Sequence, residues 1–268
     1  MNDTHAANRA RWELAADNWG AMHDRRGTWR IAHRQPGAVL IEQEMDLLGE
    51  VDGLDACVLG SGDNLAVFAL AGMGARVTSV DLSLKQLAMA EKRATELGLD
   101  INFVEADVVE LGALEDSTFD VVYTGGHVAV WVADLDAYYR EAIRILRPGG
   151  LFLVNEYHPF RRIWKDQASS LEVEFSYFDN GPHEYEASEN LFDTEAGGVT
   201  QYENHWTVSQ YLNAVIQQGM RLVRFEEIGD KAQGFEVPPL AGLPHMLLIA
   251  ARNDREGQRA EGRGQRTA

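Results

Sequence analysis

The segment Cys57-Val-Leu-Gly-Ser-Gly-Asp-Asn64 joins an apolar strand to a helix through a glycine turn, and Val77-Thr-Ser-Val-Asp-Leu-Ser83 follows as a second strand. Gly60 and Gly62 have no Cβ, so the turn lets the backbone approach a ligand closely. The second strand ends in Asp81, 19 residues beyond Gly62. A carboxylate at this place can accept both hydroxyls of a ribose. Together the two segments predict a site for an adenosine-containing cofactor.

Leu65 decides which kind of nucleotide the turn suits. A dinucleotide fingerprint has a third glycine at this position, which lets the pyrophosphate approach and the helix pack closely. The leucine removes that fingerprint. A nicotinamide enzyme is therefore a distant alternative, to be distinguished by the nucleotide that raises the melting temperature.

The rest of the chain predicts regular alternation of short apolar strands with helices. Strands are predicted at Ala56–Leu59, Arg76–Val80, Ile101–Glu105, Phe119–Tyr123 and Leu151–Glu156, with a closing hairpin of Met220–Glu227 and Met246–Ala251. Helices are predicted over 38–48, 64–71, 83–98, 134–146 and 207–218, with Ser83 and Gln86 forming a capping box and a turn at Arg147-Pro-Gly-Gly150. The predicted fold class is α/β: a doubly wound, seven-stranded, mostly parallel sheet covered on both faces.

In this order the motifs resemble the class I S-adenosylmethionine-dependent methyltransferases, over about residues 38–252. Besides the glycine turn and Asp81, the resemblance rests on Phe103-Val-Glu-Ala-Asp107, Phe119-Asp-Val-Val-Tyr123 and Leu146-Arg-Pro-Gly-Gly-Leu-Phe-Leu-Val154. It implies a Rossmann-like methyltransferase fold, S-adenosyl-L-methionine as cofactor, and methyl transfer to O or N of a small-molecule acceptor. The chain departs from the family at Val58, where an acid is usual, and at Asn64, where a third glycine is usual.

The resemblance also implies a cofactor-binding set: Gly60, Ser61, Gly62, Asn64, Asp81, Leu82, Asp107, Val108, Thr124 and Gly125. In it, Asp81 would bind the ribose, Leu82 would lie against the adenine, and Asp107 would accept from the adenine amino group beside the Val108 N–H. Otherwise Asp81 is a charge favoured at a helix N-terminus. Asp107 would then be a solvated residue at a strand end.

Two histidines are candidates for the general base that an O–H or N–H acceptor needs. His127 follows the fourth strand and His158 follows the fifth, so both lie at carboxyl ends of strands. The imidazole pKa lies near working pH. The alternative for each is a hydrogen-bonded structural histidine. If neither acts, the enzyme works by aligning the acceptor with the methyl group and the sulfur.

The acceptor pocket is predicted from aromatic and basic residues near these histidines: Trp131, Tyr157, Arg161, Trp164 and Tyr177. Core packing is the alternative for Trp131, and pairing with carboxylates is the alternative for Arg161. No spacing typical of a metal site appears in the sequence.

Three parts of the chain are expected besides the regular fold. An N-terminal helical lid is predicted over residues 1–37, because Trp12 and Trp19 follow helical spacing. The alternative is that these tryptophans only pack the helix against the rest of the fold. Residues 157–205 predict a β-rich cap insertion in the 38–252 methyltransferase domain, with short strands at Phe175–Phe178 and Gln201–Trp206. Residues 253–268 predict a disordered tail.

Composition excludes some partners. The formal net charge of −18 disfavours nucleic acids and anionic membranes, because an acidic surface repels a phosphate backbone; solubility alone is the alternative meaning of this charge. No signal peptide, spanning segment or possible internal disulfide is visible, which predicts a cytoplasmic protein. The alternatives to a small-molecule enzyme are a non-catalytic cofactor-binding protein and a macromolecule methyltransferase, the latter disfavoured by the charge.

Overall fold

The computed structural model describes residues 1–62, 65–165, 170–186, 199–229 and 242–254. Nine strands lie in these ranges: β1 (Asp55–Leu59), β2 (Arg76–Asp81), β3 (Ile101–Glu105), β4 (Phe119–Gly125), β5 (Leu146–Tyr157), β6 (His183–Glu186), β7 (Thr200–Glu203), β8 (Arg221–Gly229) and β9 (Pro244–Arg252). The α-helices in the same ranges are α1 (Asp3–Arg26), α2 (Trp29–Ala32), α3 (Glu42–Leu48), α4 (Leu65–Gly72), α5 (Leu84–Leu97), α6 (Leu135–Arg144) and α7 (Val208–Ile216).

Seven strands form one sheet in the order β3-β2-β1-β4-β5-β9-β8, and β6 pairs with β7 in a separate hairpin. Strands β1 to β5 pair in parallel, whereas β9 runs antiparallel to both of its neighbours. The predicted seven-stranded, mostly parallel sheet is confirmed. The strand order reverses between β1 and β4, and ligands of open α/β sheets bind outside the carboxyl ends of strands at such a point.

Alternation along the central strands builds a core on each face of the sheet. In β1, Cys57 and Leu59 join the core under α6 and α7, whereas Ala56 and Val58 join the core under α3 and α4. Side chains alternate between faces along a strand, so a strand covered on both sides is apolar throughout. Val58, where the family usually has an acid, is therefore a core residue.

Some predicted boundaries are wrong. The stretch Arg147-Pro-Gly-Gly150 lies inside β5, because Asn253 extends the pairing: Gly149 N donates to Asn253 O at 2.6 Å, and Asn253 N donates to Gly150 O at 3.1 Å. The first predicted domain helix begins only at Glu42, where the Glu44 carboxylate accepts from Ile41 N at 2.8 Å.

Two further local predictions fail. Phe175–Phe178 is not a strand; β7 pairs with β6, which starts at His183. The Ser83 hydroxyl accepts from Gln86 N at 3.3 Å, but Ser83 N donates to Asp81 Oδ1 at 2.8 Å, so Gln86 does not complete a capping box. Across the described ranges, no helix is both long and apolar enough to cross a bilayer.

Candidate active site

A cavity of about 360 Å³ opens at the carboxyl ends of β1, β2 and β4. Helix α1 lies over it and contributes a row of lining residues: His5, Asn8, Trp12, Trp19, His23 and Arg26. The cavity floor includes Gly60, Ser61, Gly62, Asp81, Leu82, Asp107, Val108 and Gly125. Eight of the ten predicted cofactor-binding residues therefore line one cavity.

The glycine turn needs its glycines. Gly60 and Gly62 have φ of +60° and +48°, in the left-handed region that other residues avoid. A Cβ on Gly60 would lie 2.4 Å from Cγ1 of Val128, so only a hydrogen fits there. Asp81 fastens the turn, because its Oδ2 accepts from Gly62 N at 2.8 Å. Asn64, the remaining predicted residue of the turn, lies outside the described residues.

Asp107 connects the cavity floor to α1. Its Oδ2 accepts from His5 Nδ1 at 2.7 Å, and its Oδ1 accepts from Val109 N at 3.2 Å. The other imidazole nitrogen of His5 accepts from Ala133 N at 2.9 Å, which places the proton of a neutral ring on Nδ1. Burial raises the pKa of the Asp107 carboxyl, but the bond and charge of His5, the Val109 N–H and the amino terminus together outweigh it and hold this pKa below its usual range.

Asn8 fastens the middle of α1 to two other elements. Its side-chain amide donates to Trp131 O at 3.0 Å and to Tyr202 O at 2.9 Å. Its Oδ1 accepts from Tyr202 N at 2.8 Å. One buried side chain thus joins α1, the turn after β4 and the β6–β7 hairpin.

Aromatic rings form a continuous wall at the other end of the cavity. Successive ring centroids lie 5.9 Å apart from Trp19 to Trp12, 5.5 Å from Trp12 to Trp131, 6.1 Å from Trp131 to His127 and 4.3 Å from His127 to Tyr157. All five rings line the cavity. The wall is built from α1, from the turn after β4 and from the end of β5.

His127 reaches the cavity in a state that disfavours general-base chemistry. Arg162 donates to its Nε2, so the neutral ring carries its proton on Nδ1. Burial, and then the charges of Arg162 and Arg161, hold the pKa of His127 well below its usual range. The Arg161 guanidinium itself lies 3.9 Å from the ring centroid of Tyr157, on the far side of the aromatic wall.

Comparison with known proteins agrees with this geometry. Residues 57–154 match a family model described as a methyltransferase domain. Over 103 residues the chain is 36% identical to a ubiquinone biosynthesis O-methyltransferase of Caulobacter vibrioides, covering 38% of this chain and 40% of that one. It is 39% identical over 103 residues to a cypemycin N-terminal methyltransferase of Streptomyces, covering 37% and 40%. The match thus spans 40% of the length of each of these curated relatives.

A solved structure extends the likeness beyond the matched segment. It is an S-adenosylmethionine-dependent methyltransferase from Mesorhizobium loti, 28% identical, with a TM-score of 0.60 over 77% of this chain and 94% of that one. The chain is similar in fold, and over residues 57–154 also in sequence, to the class I S-adenosylmethionine-dependent methyltransferases. Gly60, Asp81 and Asp107 lie in the motifs that carry this similarity.

The structure does not place His158 in the lining of the cavity. Its Nδ1 accepts from Phe160 N at 3.1 Å, and its Nε2 bonds to Glu227 Oε1 on β8 at 2.9 Å. Burial lowers the pKa of the imidazole, while Glu227 opposes that change. Both ring nitrogens thus have hydrogen-bond partners outside the cavity.

Four other predicted residues also lie away from the cavity lining. The Thr124 hydroxyl bonds to the Tyr138 hydroxyl at 2.5 Å in the core. The Tyr177 hydroxyl accepts from Val208 N at 3.0 Å, at the start of α7. Trp164 packs on the Phe160 ring at 5.7 Å, and Arg161 stands behind Tyr157. Of the predicted acceptor pocket, Trp131 and Tyr157 line the cavity.

Sequence reasoning missed most of the contribution of α1. His5, Asn8, Trp12, Trp19 and His23 are separated by three, four, seven and four positions, so they share one face of the helix. Of these residues, only the two tryptophans were used to predict the helical lid. The polar residues at the same spacing were the signal that α1 faces a polar site.

Proposed function

We propose that the protein transfers a methyl group from S-adenosyl-L-methionine to an oxygen or nitrogen of a small-molecule acceptor. One observation carries the proposal: a single cavity joins the glycine turn, Asp81 and Asp107 to a wall of five aromatic rings. The first part suits an adenosine, and the second suits an apolar acceptor beside a sulfonium. Relatives named for O-methyl transfer and N-terminal methyl transfer support the same reaction class.

The residues at the cavity floor fit the cofactor. Each Asp81 oxygen accepts one backbone N–H, and a carboxylate oxygen has a second lone pair with which it can accept a ribose hydroxyl. Asp107 would accept from the adenine amino group, with Val108 N–H beside it. Gly60 and Gly62 line the part of the cavity that would hold the methionine part. When bound, the cofactor supplies the electrophilic methyl group.

The aromatic wall would position the acceptor. Methyl transfer is an in-line displacement, so alignment of the acceptor atom with the methyl carbon and sulfur supplies much of the catalysis. Trp12 and Trp19 come from α1, so this helix would shield one side of the acceptor from water. A cavity of about 360 Å³ with α1 along one side favours a small acceptor over a macromolecule.

Calorimetry with S-adenosylmethionine and S-adenosylhomocysteine tests the cofactor, and transfer of isotope-labelled methyl into metabolite fractions tests the reaction. Asp81→Asn should weaken binding, whereas Asp136→Asn on the exposed face of α6 is the matched control and should not. Tight binding without turnover in any fraction would indicate a non-catalytic binding protein. Binding of a nicotinamide nucleotide in place of S-adenosylhomocysteine would contradict the proposal.

A further inference from the structure

Glu156 is a fully buried carboxylate at the carboxyl end of β5. Its Oε1 accepts from Val128 N at 3.1 Å and from Ala129 N at 3.0 Å. Burial of an acid is costly unless its oxygens are well bonded. This carboxylate bonds to the backbone at the start of a turn, and its Oε2 lacks a hydrogen-bond partner in the described structure.

The turn that Glu156 holds carries parts of two cavity walls. Its first residues place the His127 ring in the aromatic wall and the Val128 methyl groups against Gly60. Trp131, at its end, belongs to the same aromatic wall. A shift of this turn therefore moves the acceptor side and the cofactor side of the cavity together.

Other elements hold the carbonyls of residues 129, 130 and 131 in this turn. Trp206 Nε1 donates to Ala129 O at 2.9 Å, Asn204 N donates to Val130 O at 2.6 Å, and Asn8 donates to Trp131 O at 3.0 Å. The N–H groups of residues 128 and 129 are left to Glu156. No other described side chain bonds to these two donors.

We infer that Glu156 is a positioning residue for methyl transfer, whose ionised carboxylate fixes the turn after β4 so that both walls of the cavity are aligned. The inference rests on the proposed function. Glu156 touches neither reactant; it acts through the backbone of residues 128 and 129. Hydrogen bonds to an ionised acceptor are about twice as strong as those to a neutral one, so the turn is held best when Glu156 is charged.

The surroundings of Glu156 bring its titration into the working range. Burial raises its pKa to about 7, although the two N–H groups and Arg162 oppose that change. Arg162 is the cation facing it, and Arg162 is itself 3.4 Å from Glu203. The other titratable groups facing it are buried phenols from β4, α6 and α7, whose pKa values burial raises well above 10: Tyr123, Tyr138, Tyr139 and Tyr211.

Stability and alignment then respond to pH in opposite directions. The pKa of Glu156 is higher in the folded protein than in the unfolded chain, so its contribution to the free energy of unfolding falls as pH rises from about 4.5 to about 7. Over the upper part of that window the carboxylate ionises and its bonds to the turn strengthen. If Glu156 only packed the core, the free energy of unfolding and the strength of the bonds to the turn would not change with pH in opposite directions.

Amide exchange of Val128 and Ala129 tests this without an acceptor. We expect their protection factors, each referred to an unstructured peptide at the same pH, to rise about tenfold between pH 5.5 and 8.5, with a midpoint near 7. The methyl-transfer rate should show the same midpoint. In Glu156→Gln, a neutral acceptor replaces the carboxylate, so both midpoints should disappear and unfolding at pH 8 should need at least as much free energy.

Glu141→Gln is the matched control. Glu141 also accepts a backbone N–H, from Leu111 at 3.0 Å, but Arg144 and that N–H outweigh its burial and lower its pKa, so it does not titrate near neutrality. This variant should keep both wild-type midpoints. If Glu156→Gln keeps them too, or if wild-type protection is flat across this range, the inference is wrong.

Failure of the proposed function would look different. Calorimetry of the wild-type protein at pH 8 would then show no binding of S-adenosylhomocysteine. The exchange midpoints at Val128 and Ala129 would still report on the turn.

Discussion

Replacing Gly60 with alanine should damage the cavity in two separable ways. The backbone there has φ of +60°, a conformation that costs a residue with a Cβ roughly 1–2 kcal/mol. The new Cβ would also lie 2.4 Å from Cγ1 and 2.8 Å from Cγ2 of Val128. Overpacking of this kind costs about 1–3 kcal/mol, so we expect a total loss of about 2–5 kcal/mol.

A double-mutant cycle separates crowding from backbone strain. Val128→Ala alone should cost about 1.5 kcal/mol for two lost methyl groups, and in Gly60→Ala it should relieve the crowding. We therefore expect a stabilising coupling of about 1–3 kcal/mol, both in chemical denaturation and in S-adenosylhomocysteine affinity by calorimetry. Gly98→Ala is the strain-only control, since φ is +70° and no neighbouring part of the described chain lies within 4 Å of the place its Cβ would take.

Additive effects of Gly60→Ala and Val128→Ala, within about 0.5 kcal/mol, would refute the reasoning. The reasoning would also be refuted if Gly98→Ala and Val128→Ala showed a coupling energy as large as that of Gly60→Ala and Val128→Ala. In either case the contact between the glycine turn and the turn after β4 would carry no energy.

Asp81→Asn should weaken S-adenosylhomocysteine binding by about 2–3 kcal/mol, because charge-assisted bonds to the glycine turn and to the ribose are lost; unchanged affinity in calorimetry would exclude Asp81 from the site. His5→Ala should speed dissociation of S-adenosylhomocysteine in stopped-flow fluorescence, because Asp107 no longer holds α1; an unaltered rate would show that this bond does not fasten the helix. His158→Ala should lower the melting temperature but keep kcat within about threefold, since its ring bonds to Glu227; a loss of a hundredfold or more would restore the base role.

The sequence was informative wherever a local signal and the fold coincide. Gly60 and Gly62 were predicted from spacing, and both have the positive φ that requires glycine. Asp81 ends β2 as the alternation of strands and helices predicted. Such features depend on residues close in sequence, so a motif is enough to locate them.

Of the two base candidates, His127 lines the cavity and His158 does not, for a reason that a motif does not contain. Neighbouring residues at the end of a strand point to opposite sides. Tyr157 lines the cavity, and His158 turns instead toward Glu227 on β8, 69 positions further along the chain. Which of two consecutive side chains faces a ligand depends on register and on distant partners.

Glu156 escaped the sequence reasoning for a related reason. In most proteins, an acidic side chain near the end of an apolar strand is exposed to solvent. Here the turn after β4 folds back over the end of β5 and supplies two backbone donors to the carboxylate. Only the tertiary arrangement identifies it as buried and engaged.

Because Asn8 fastens α1 to the rest of the protein, cofactor affinity depends on the fraction of molecules in which α1 is docked over the cavity. Two of the five rings of the aromatic wall, Trp12 and Trp19, and the partner of Asp107 belong to this helix, so the complete binding site exists only in molecules whose helix is docked. The apparent dissociation constant equals the intrinsic one divided by the docked fraction. A substitution that leaves α1 docked about one tenth of the time would therefore weaken binding about tenfold, with every group on the cavity floor unaltered. Conversely, once the helix is almost always docked, stronger fastening adds nothing to affinity and only slows exchange of the ligand.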